Sequence, residues 1–280
     1  MKSKAKIWLT LSVPTILLCL FSLFTSSNTV SDLPPSSPHE ENSQKKYKLL
    51  WQDEFDNPQL NTEIWSLITR GRARWRKHMS TNRNLYQISN GFIRLFCKNN
   101  IGIEKNDTAK VLTGGIVTQE KYLIGYGKVE VRARMRSVEG CWPAIWVATV
   151  NYLQEDPRWG EIDVMEHYNL ENTVEMTTHN HYTFVQKAQK WPEHQKKVEV
   201  KTDEWNIYAV EILKDKIILS INGKTQFVYK NLKIHGQFPY GVPSTLRIDM
   251  QWDTKRAKRL DTRSLPAWID VDWVRVYGLK

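Results

Sequence analysis

Three carboxylate side chains lie within six residues of one another in the middle of the chain. They are Glu161, Asp163 and Glu166, in the segment WGEIDVME that spans residues 159–166. A pair of carboxyl groups can share acid–base work, because one can hold a proton while the other stays ionised. The segment therefore raises the hypothesis of a catalytic site built on paired carboxylates.

The spacing of these acids predicts a strand with one irregularity. In a regular strand Glu161 and Asp163 share a face, and the apolar residues between and after them take the other face. Glu166 would then point the wrong way, unless a β-bulge near Val164-Met165 adds one residue and returns it. The outer glutamates would have Cα atoms roughly 13 Å apart. Their long side chains could then bring the carboxyl groups to about 5–5.5 Å, as in retaining glycosidases.

Three other interpretations of the segment stay open on its residues alone. It could be a solvated acidic face, although adjacent like charges destabilise a purely structural strand. It could be a short helix, which the apolar alternation disfavours. It could also be a calcium site, because clustered carboxylate oxygens suit that ion.

The elements that would position these acids are strands rather than helices. Period-two alternation recurs in five stretches, and Asn222-Gly223 after the third of them is a hairpin turn signal. The stretches are 128–136, 205–213, 216–221, 246–252 and 268–277. Many short strands with turn signals between them predict an all-β sandwich or barrel.

The first 46 residues read as segments outside the fold. Residues 1–27 have a basic start, an uncharged apolar run and small polar residues, which is the layout of a secretory signal peptide. An uncleaved membrane anchor is the alternative. Residues 28–46 are rich in Ser, Pro, Asn and charged residues and predict a flexible linker. We expect one folded domain over 47–280, in an exported protein that is periplasmic, cell-surface or secreted.

The chain is basic, with 40 Lys+Arg against 30 Asp+Glu, although the leader supplies three of the lysines. Two clusters, at 70–77 and 255–263, carry much of this charge. Basic surfaces attract nucleic acid, acidic lipid or acidic glycans, but charge runs are often merely solvated loops. No zinc-finger, RNP or helix-turn-helix pattern accompanies the clusters, so we expect no nucleic-acid partner.

Two cysteines, Cys97 and Cys141, remain beyond the leader. They could form one disulfide in an exported protein, or stay as free buried thiols. No Cys/His spacing suggests a zinc site, and we expect no required cofactor.

Segments along nearly the whole domain resemble glycoside hydrolase family 16. The acids are similar to the bulged E-x-D-x-x-E signature of that family, and the resemblance extends from Leu50 to Tyr277. Five further segments are similar to family blocks, in order: WQDEFD at 51–56, TGGIVT at 113–118, YGKVEVR at 126–132, WPAIW at 142–146 and DVDWVRVY at 270–277.

This resemblance implies a concanavalin-like β-jelly-roll of two antiparallel sheets, with a substrate cleft on the concave face. It implies retaining hydrolysis of internal β-linkages in a polysaccharide: β-1,3- or β-1,3/1,4-glucan, β-galactan or O-glycan. By position, Glu161 would be the nucleophile and Glu166 the acid/base. Asp163 would hold Glu161 in place by hydrogen bonding and adjust the pKa values of both glutamates.

Sugar rings stack their apolar faces on aromatic side chains, so the tryptophans near the acids are candidate subsite residues. Trp142 and Trp146 share a strand face, and Trp159 shares the face of Glu161. Core packing is the alternative for each. The resemblance adds His179 and Gln251 as cleft residues.

The resemblance also allows a structural calcium near Glu54 and Asp272. The two basic clusters depart from the family pattern where loops border the cleft, which leaves the glycan undetermined. The rival hypothesis is a non-catalytic glycan-binding jelly roll, which would need the tryptophans but not all three acids. We expect a monomer without stable membrane insertion once the leader is removed.

Overall fold

The computed structural model describes residues 46–188, 191–255 and 262–280. The predicted signal peptide and nearly all of the predicted linker lie outside the described residues. Within them the strands form two antiparallel sheets, of nine and seven strands. None of the helices described is both long and apolar enough to cross a membrane.

The larger sheet has the order β14-β13-β12-β7-β16-β4-β3, with β1 added to β16 and β5 added to β4. Its strands are β1 Tyr47–Asp53, β3 Tyr86–Ser89, β4 Phe92–Asn99, β5 Val111–Thr113, β7 Gly127–Arg136, β12 Asn206–Ile212, β13 Lys216–Ile221, β14 Lys224–Lys230 and β16 Ala267–Leu279.

The smaller sheet has the order β11-β10-β9-β8-β15-β6-β2 and carries the three acids. Its strands are β2 Trp65–Leu67, β6 Gly115–Thr118, β8 Cys141–Thr149, β9 Gly160–His167, β10 Thr173–Asn180, β11 Gln195–Glu199 and β15 Ser244–Trp252. A one-turn helix, α1 His181–Phe184, follows β10, and single 3₁₀ turns lie at Arg74–Arg76, Arg83–Leu85, Glu120–Tyr122 and Thr262–Ser264.

Alternation along each strand sends apolar residues into a core shared by the two sheets. In β7 buried and half-buried residues alternate over nearly the whole strand. Val129 and Val131 of β7 enter the same core cluster as Ile145 of β8 and Ile248 of β15. The predicted β-jelly-roll sandwich is confirmed, and each inward-facing aliphatic side chain contributes about 1.5–3 kcal/mol through burial.

The predicted hairpin turn also forms. Asn222 and Gly223 join β13 to β14 with φ values of 52° and 75°. Both lie in the left-handed region that a two-residue hairpin with right-handed strand twist requires.

The two cysteines are free and buried. Cys97 is on β4 of the larger sheet and Cys141 is on β8 of the smaller one. Their thiols are hydrogen-bonded, and burial raises the pKa of Cys97 well above its usual range. Of the two alternatives, the structure shows the free thiols.

Candidate active site

A β-bulge in β9 sets the direction of the acidic side chains. On β8, Ile145 pairs with Met165 and the next residue, Trp146, pairs with Asp163, so two steps of β9 oppose one step of β8. The ladder between β9 and β10 shifts over the same stretch. Val164 is the extra residue, and the bulge predicted near Val164-Met165 is present.

Cross-strand partners show that all three acids reach the outer face of the smaller sheet. Directly opposed residues in an antiparallel ladder project to the same side. The pairs are Glu161 with Ala148 and His179, Asp163 with Trp146 and Thr177, and Glu166 with Ala144 and Glu175. Ile162 and Met165 point the other way and lie in the core.

Glu166 is fixed by two neighbouring side chains. The indole Nε1–H of Trp142 donates a hydrogen bond of 2.7 Å to its Oε1. Tyr168 also hydrogen-bonds the carboxyl group, and the rings of Trp142 and Tyr168 lie 5.4 Å apart. Glu166 is only 8% exposed. One oxygen of the carboxyl group is therefore held by a specific donor.

Glu161, Asp163 and His179 form a compact group. One ligand atom from each lies within 4.8 Å of the others, and Nε2 of His179 is 3.3 Å from Oδ2 of Asp163. Three such atoms could in principle hold a cation. They could equally link two acids through a shared proton and a neighbouring imidazole.

A fourth acid, Asp249 on β15, extends the network. It accepts hydrogen bonds from Nε1 of Trp146 at 2.9 Å and from Nε2 of Gln251 at 2.8 Å. Oε1 of Gln251 is buried and has no hydrogen-bond partner among the described residues. The predicted cleft residue Gln251 therefore lies on the acid-bearing side of the sheet, opposite Trp142.

Burial is the main reason that the pKa values of these acids are high. It raises the pKa of Glu161, Asp163 and Glu166 to about 8, and repulsion from neighbouring carboxylates adds to the effect. Burial also raises the pKa of Asp249, to about 7. Close carboxylates cannot all ionise at once, so the cluster retains protons at neutral pH.

The three predicted subsite tryptophans differ in exposure. Trp142 is half-buried, whereas Trp146 and Trp159 are each only 5% exposed. Trp75 covers Trp146 in an edge-to-face contact of 4.8 Å, and Phe184 contacts Trp159 at 5.5 Å. Trp142 therefore offers the most open ring surface of the three.

The first basic cluster borders this face. Arg74 forms an ion pair with Asp253, and its Cζ lies 5.7 Å from the centroid of the Trp142 ring. Arg76 donates two hydrogen bonds of 3.1 and 2.9 Å to the carbonyl oxygen of Thr69. Most of the second cluster, from residue 256 to 261, lies outside the described residues.

Sequence reasoning missed Trp75, Asp249 and Arg247. Asp249 and Arg247 alternate with Gln251 along β15, so strand periodicity could have placed all three on one face. Trp75 lies in a 3₁₀ turn far away in sequence, and no periodic signal connects it with Trp146.

The two residues predicted near a structural calcium are each paired with an arginine. Glu54 accepts hydrogen bonds of 2.9 and 3.0 Å from Arg275, and Asp272 accepts one from Arg132. A guanidinium already neutralises each carboxylate, so this arrangement does not fit a calcium ion held by both side chains.

Stacked antiparallel sheets with a face of acids and tryptophans define a glycoside hydrolase of the β-jelly-roll class. The chain belongs to glycosyl hydrolases family 16, whose family model matches residues 77–275. It is therefore an endo-acting glycoside hydrolase with a polysaccharide or other glycan as substrate.

Named relatives act on different glycans. The chain is 29% identical over 291 residues to a keratan-sulfate endo-1,4-β-galactosidase of Sphingobacterium multivorum, covering 99% of this chain and 68% of the relative. It is 25% identical over 271 residues to a β-glucanase of Rhodothermus marinus, covering 88% of each chain.

The structure of an endo-β-1,3-glucanase from Pyrococcus furiosus superposes with a TM-score of 0.72 at 21% identity, over 84% of this chain and 96% of that one. This likeness supports the fold alone.

Proposed function

We propose that the protein is an exported retaining endo-β-glycanase in which Glu161 is the nucleophile and Glu166 the acid/base. The observation that carries this assignment is the bulge in β9, which puts Glu161, Asp163 and Glu166 on one face. A glycan-binding protein without catalysis would gain nothing from three carboxyl groups on one face whose pKa values are raised by burial and by neighbouring carboxylates.

In the first step Glu166 gives its proton to the glycosidic oxygen while the Glu161 carboxylate attacks the anomeric carbon. The bond from that carbon to the leaving oxygen breaks, and a covalent glycosyl-enzyme forms. In the second step Glu166, now ionised, takes a proton from water, and the resulting nucleophile displaces Glu161. Two inversions leave the configuration of the product retained.

The surroundings of Glu166 suit a group that must change protonation state twice. Burial and the Asp163 charge raise its pKa, which keeps the proton available for the leaving oxygen. Hydrogen bonds from Trp142 and Tyr168 act in the opposite direction, because they stabilise the ionised form needed for the second step.

Asp163 is the positioning residue between the two glutamates. Its burial and high pKa favour a proton that it can share with Glu161, and Nε2 of His179 lies 3.3 Å from its Oδ2. When Glu161 carries the negative charge, a protonated Asp163 can stabilise that charge by donating a hydrogen bond.

The substrate we propose is a β-galactan that carries acidic groups. The support is the basic segment at the border of the acid-bearing face, where Arg74 lies over Trp142 and Arg76 over Trp75. The 29% identity with a keratan-sulfate endo-1,4-β-galactosidase agrees with this choice. Cations next to aromatic rings can bind a sugar and its acidic substituent together.

A neutral β-glucan is the second candidate, favoured by the similarity to the β-glucanase of Rhodothermus marinus. The two candidates are separated by chain-length analysis of products from matched polysaccharides: a sulfated β-galactan, its desulfated form, a β-1,3-glucan and a mucin. Mid-length products from the galactans support the proposal. Release of oligosaccharides from the glucan alone would identify a neutral glucan, and not an acidic galactan, as the substrate.

A further inference from the structure

Arg247 lies on the floor of the acid-bearing face, two strands from the acids. On β15 it is directly opposite Trp146, which is in turn opposite Asp163 on β9. Its guanidinium Cζ is 4.4 Å from the centroid of the Trp146 ring. Two strand spacings place it roughly 10 Å from β9.

The guanidinium of Arg247 has no hydrogen bond and no ion pair with any residue in the described part of the chain. Asp249, which is on the same strand, is committed elsewhere, since its two oxygens accept hydrogen bonds from Trp146 and Gln251. Glu161 and Asp249 act on Arg247 only at longer range. The ring of Trp146 is its only partner among the described residues, so the N–H donors of this half-buried cation are left for a ligand.

A second cation, Arg76, acts on Arg247. Arg76 is near enough to lower the pKa of Arg247, after the larger effect of burial. Nε and Nη2 of Arg76 donate hydrogen bonds to Thr69, and Cζ of Arg76 lies 5.3 Å from the centroid of the Trp75 ring. Nη1 of Arg76 is left without a hydrogen bond among the described residues.

The two arginines can offset the repulsion between an acidic substrate and the carboxyl groups of the site. A negatively charged sugar is repelled by the cluster of four carboxyl groups, even when some are protonated. Guanidinium groups offer several fixed N–H donors and can bind two oxygens of a sulfate or carboxylate together. Arg247 and Arg76 provide that charge beside the aromatic rings of Trp146 and Trp75.

We propose that Arg247, assisted by Arg76, binds an anionic substituent of the glycan, a sulfate ester or a carboxylate, in a subsite roughly two strand spacings from the acids. The inference rests on the proposed hydrolysis of an acidic galactan and names the residues that select it. Arg247 is a specificity residue and takes no part in bond cleavage.

The test is a ratio, kcat/KM on a sulfated β-galactan oligosaccharide divided by kcat/KM on its desulfated counterpart. A sialylated and desialylated pair distinguishes a carboxylate from a sulfate. We expect Arg247→Met to lower the ratio by about ten- to hundredfold, because a charge-assisted hydrogen bond is lost. Arg247→Lys should keep part of it. Arg83→Met, which removes an exposed cation from the 3₁₀ turn before β3, should keep the wild-type ratio.

Two other results of this comparison overturn the subsite. An unchanged ratio in Arg247→Met shows that the anion binds elsewhere. Equal losses on both oligosaccharides, with a shifted pH profile, show that Arg247 acts through Glu161. If the wild type cleaves neither galactan, the proposed substrate fails, and calorimetric titration with the sulfated oligosaccharide decides the subsite separately. Binding that does not depend on Arg247 then refutes it.

Discussion

The indole N–H of Trp142 donates a 2.7 Å hydrogen bond to Oε1 of Glu166. This contact orients the proposed acid/base and favours its ionised form, so Trp142 is both a ring surface for sugar and a donor that tunes the acid. The dual role separates Trp142 from Trp146, whose indole N–H is used on Asp249.

Replacing Trp142 with Phe should retain an aromatic ring and remove the donor. Without it the pKa of Glu166 rises further, so the alkaline limb of the kcat/KM profile should move to higher pH. We also expect a loss of about tenfold in kcat, because one carboxyl oxygen is no longer fixed. Trp268→Phe on β16, in the larger sheet, serves as the matched control and should leave the profile in place. An unmoved alkaline limb in Trp142→Phe would show that the hydrogen bond does not control the titration.

Removing either glutamate carboxyl should abolish most turnover while the fold is retained. We expect Glu161→Ala and Glu166→Ala each to lower kcat by about a thousandfold or more. Azide should rescue Glu161→Ala and give a glycosyl azide of inverted configuration, because it replaces the nucleophile in a single displacement. Product configuration by NMR, with circular dichroism as the folding check, tests the roles. Near-normal activity in either variant would refute the assignment.

The buried carboxyl of Asp163 should make the wild type less stable as pH rises. Its pKa is raised to about 8 in the folded state, from an ordinary value near 3.8. A raised folded pKa means that its favourable contribution is complete below about pH 4 and is lost as pH rises towards 8. Asp163→Asn should therefore unfold at a higher temperature than the wild type at pH 8, with a gain on the order of a few kcal/mol.

The same pair at pH 4 is the internal control, because both side chains are then neutral in the folded state. Thermal unfolding followed by circular dichroism gives both comparisons. A wild type that is the more stable protein at pH 8 would mean that Asp163 is ionised and well compensated in the fold.

Salt should discriminate between the two candidate substrates. If an acidic galactan is attracted by the basic border of the cleft, kcat/KM should fall several-fold between low and physiological ionic strength. A neutral glucan should show almost no such dependence, because stacking and neutral hydrogen bonds carry its binding. Equal, salt-independent rates on native and desulfated galactan would argue for a laminarinase-like enzyme.

The two-sheet fold and the common face of the acids could be predicted because both depend on the spacing of residues within single strands. Alternation along β7 and β15 marks the strands, and the odd spacing of Glu161 and Glu166 requires one extra residue. Resemblance to a known family added the roles, which spacing cannot provide.

The coverage of Trp146 could not be predicted in this way. Its ring lies under Trp75, which sits in a turn more than sixty residues earlier, and only the folded chain brings them together. The lack of a hydrogen-bond or ion-pair partner for Arg247 could not be predicted either, because it depends on every residue around the guanidinium in the folded chain. Long-range contacts of side chains from separate strands and turns therefore set the limit of the sequence analysis.

The bulge at Val164 makes catalysis depend on the parity of a residue count. Each residue of a strand reverses the side to which the next one points, so an even or odd number between the two glutamates decides whether they meet. Deleting Val164 would remove the extra residue and leave an even spacing, so a regular strand would still carry both glutamates on one face, whereas a strand of the present length that lost the bulge would turn Glu166 into the core. The direction of Glu166 therefore depends on the residue count and the bulge together, and neither alone determines it.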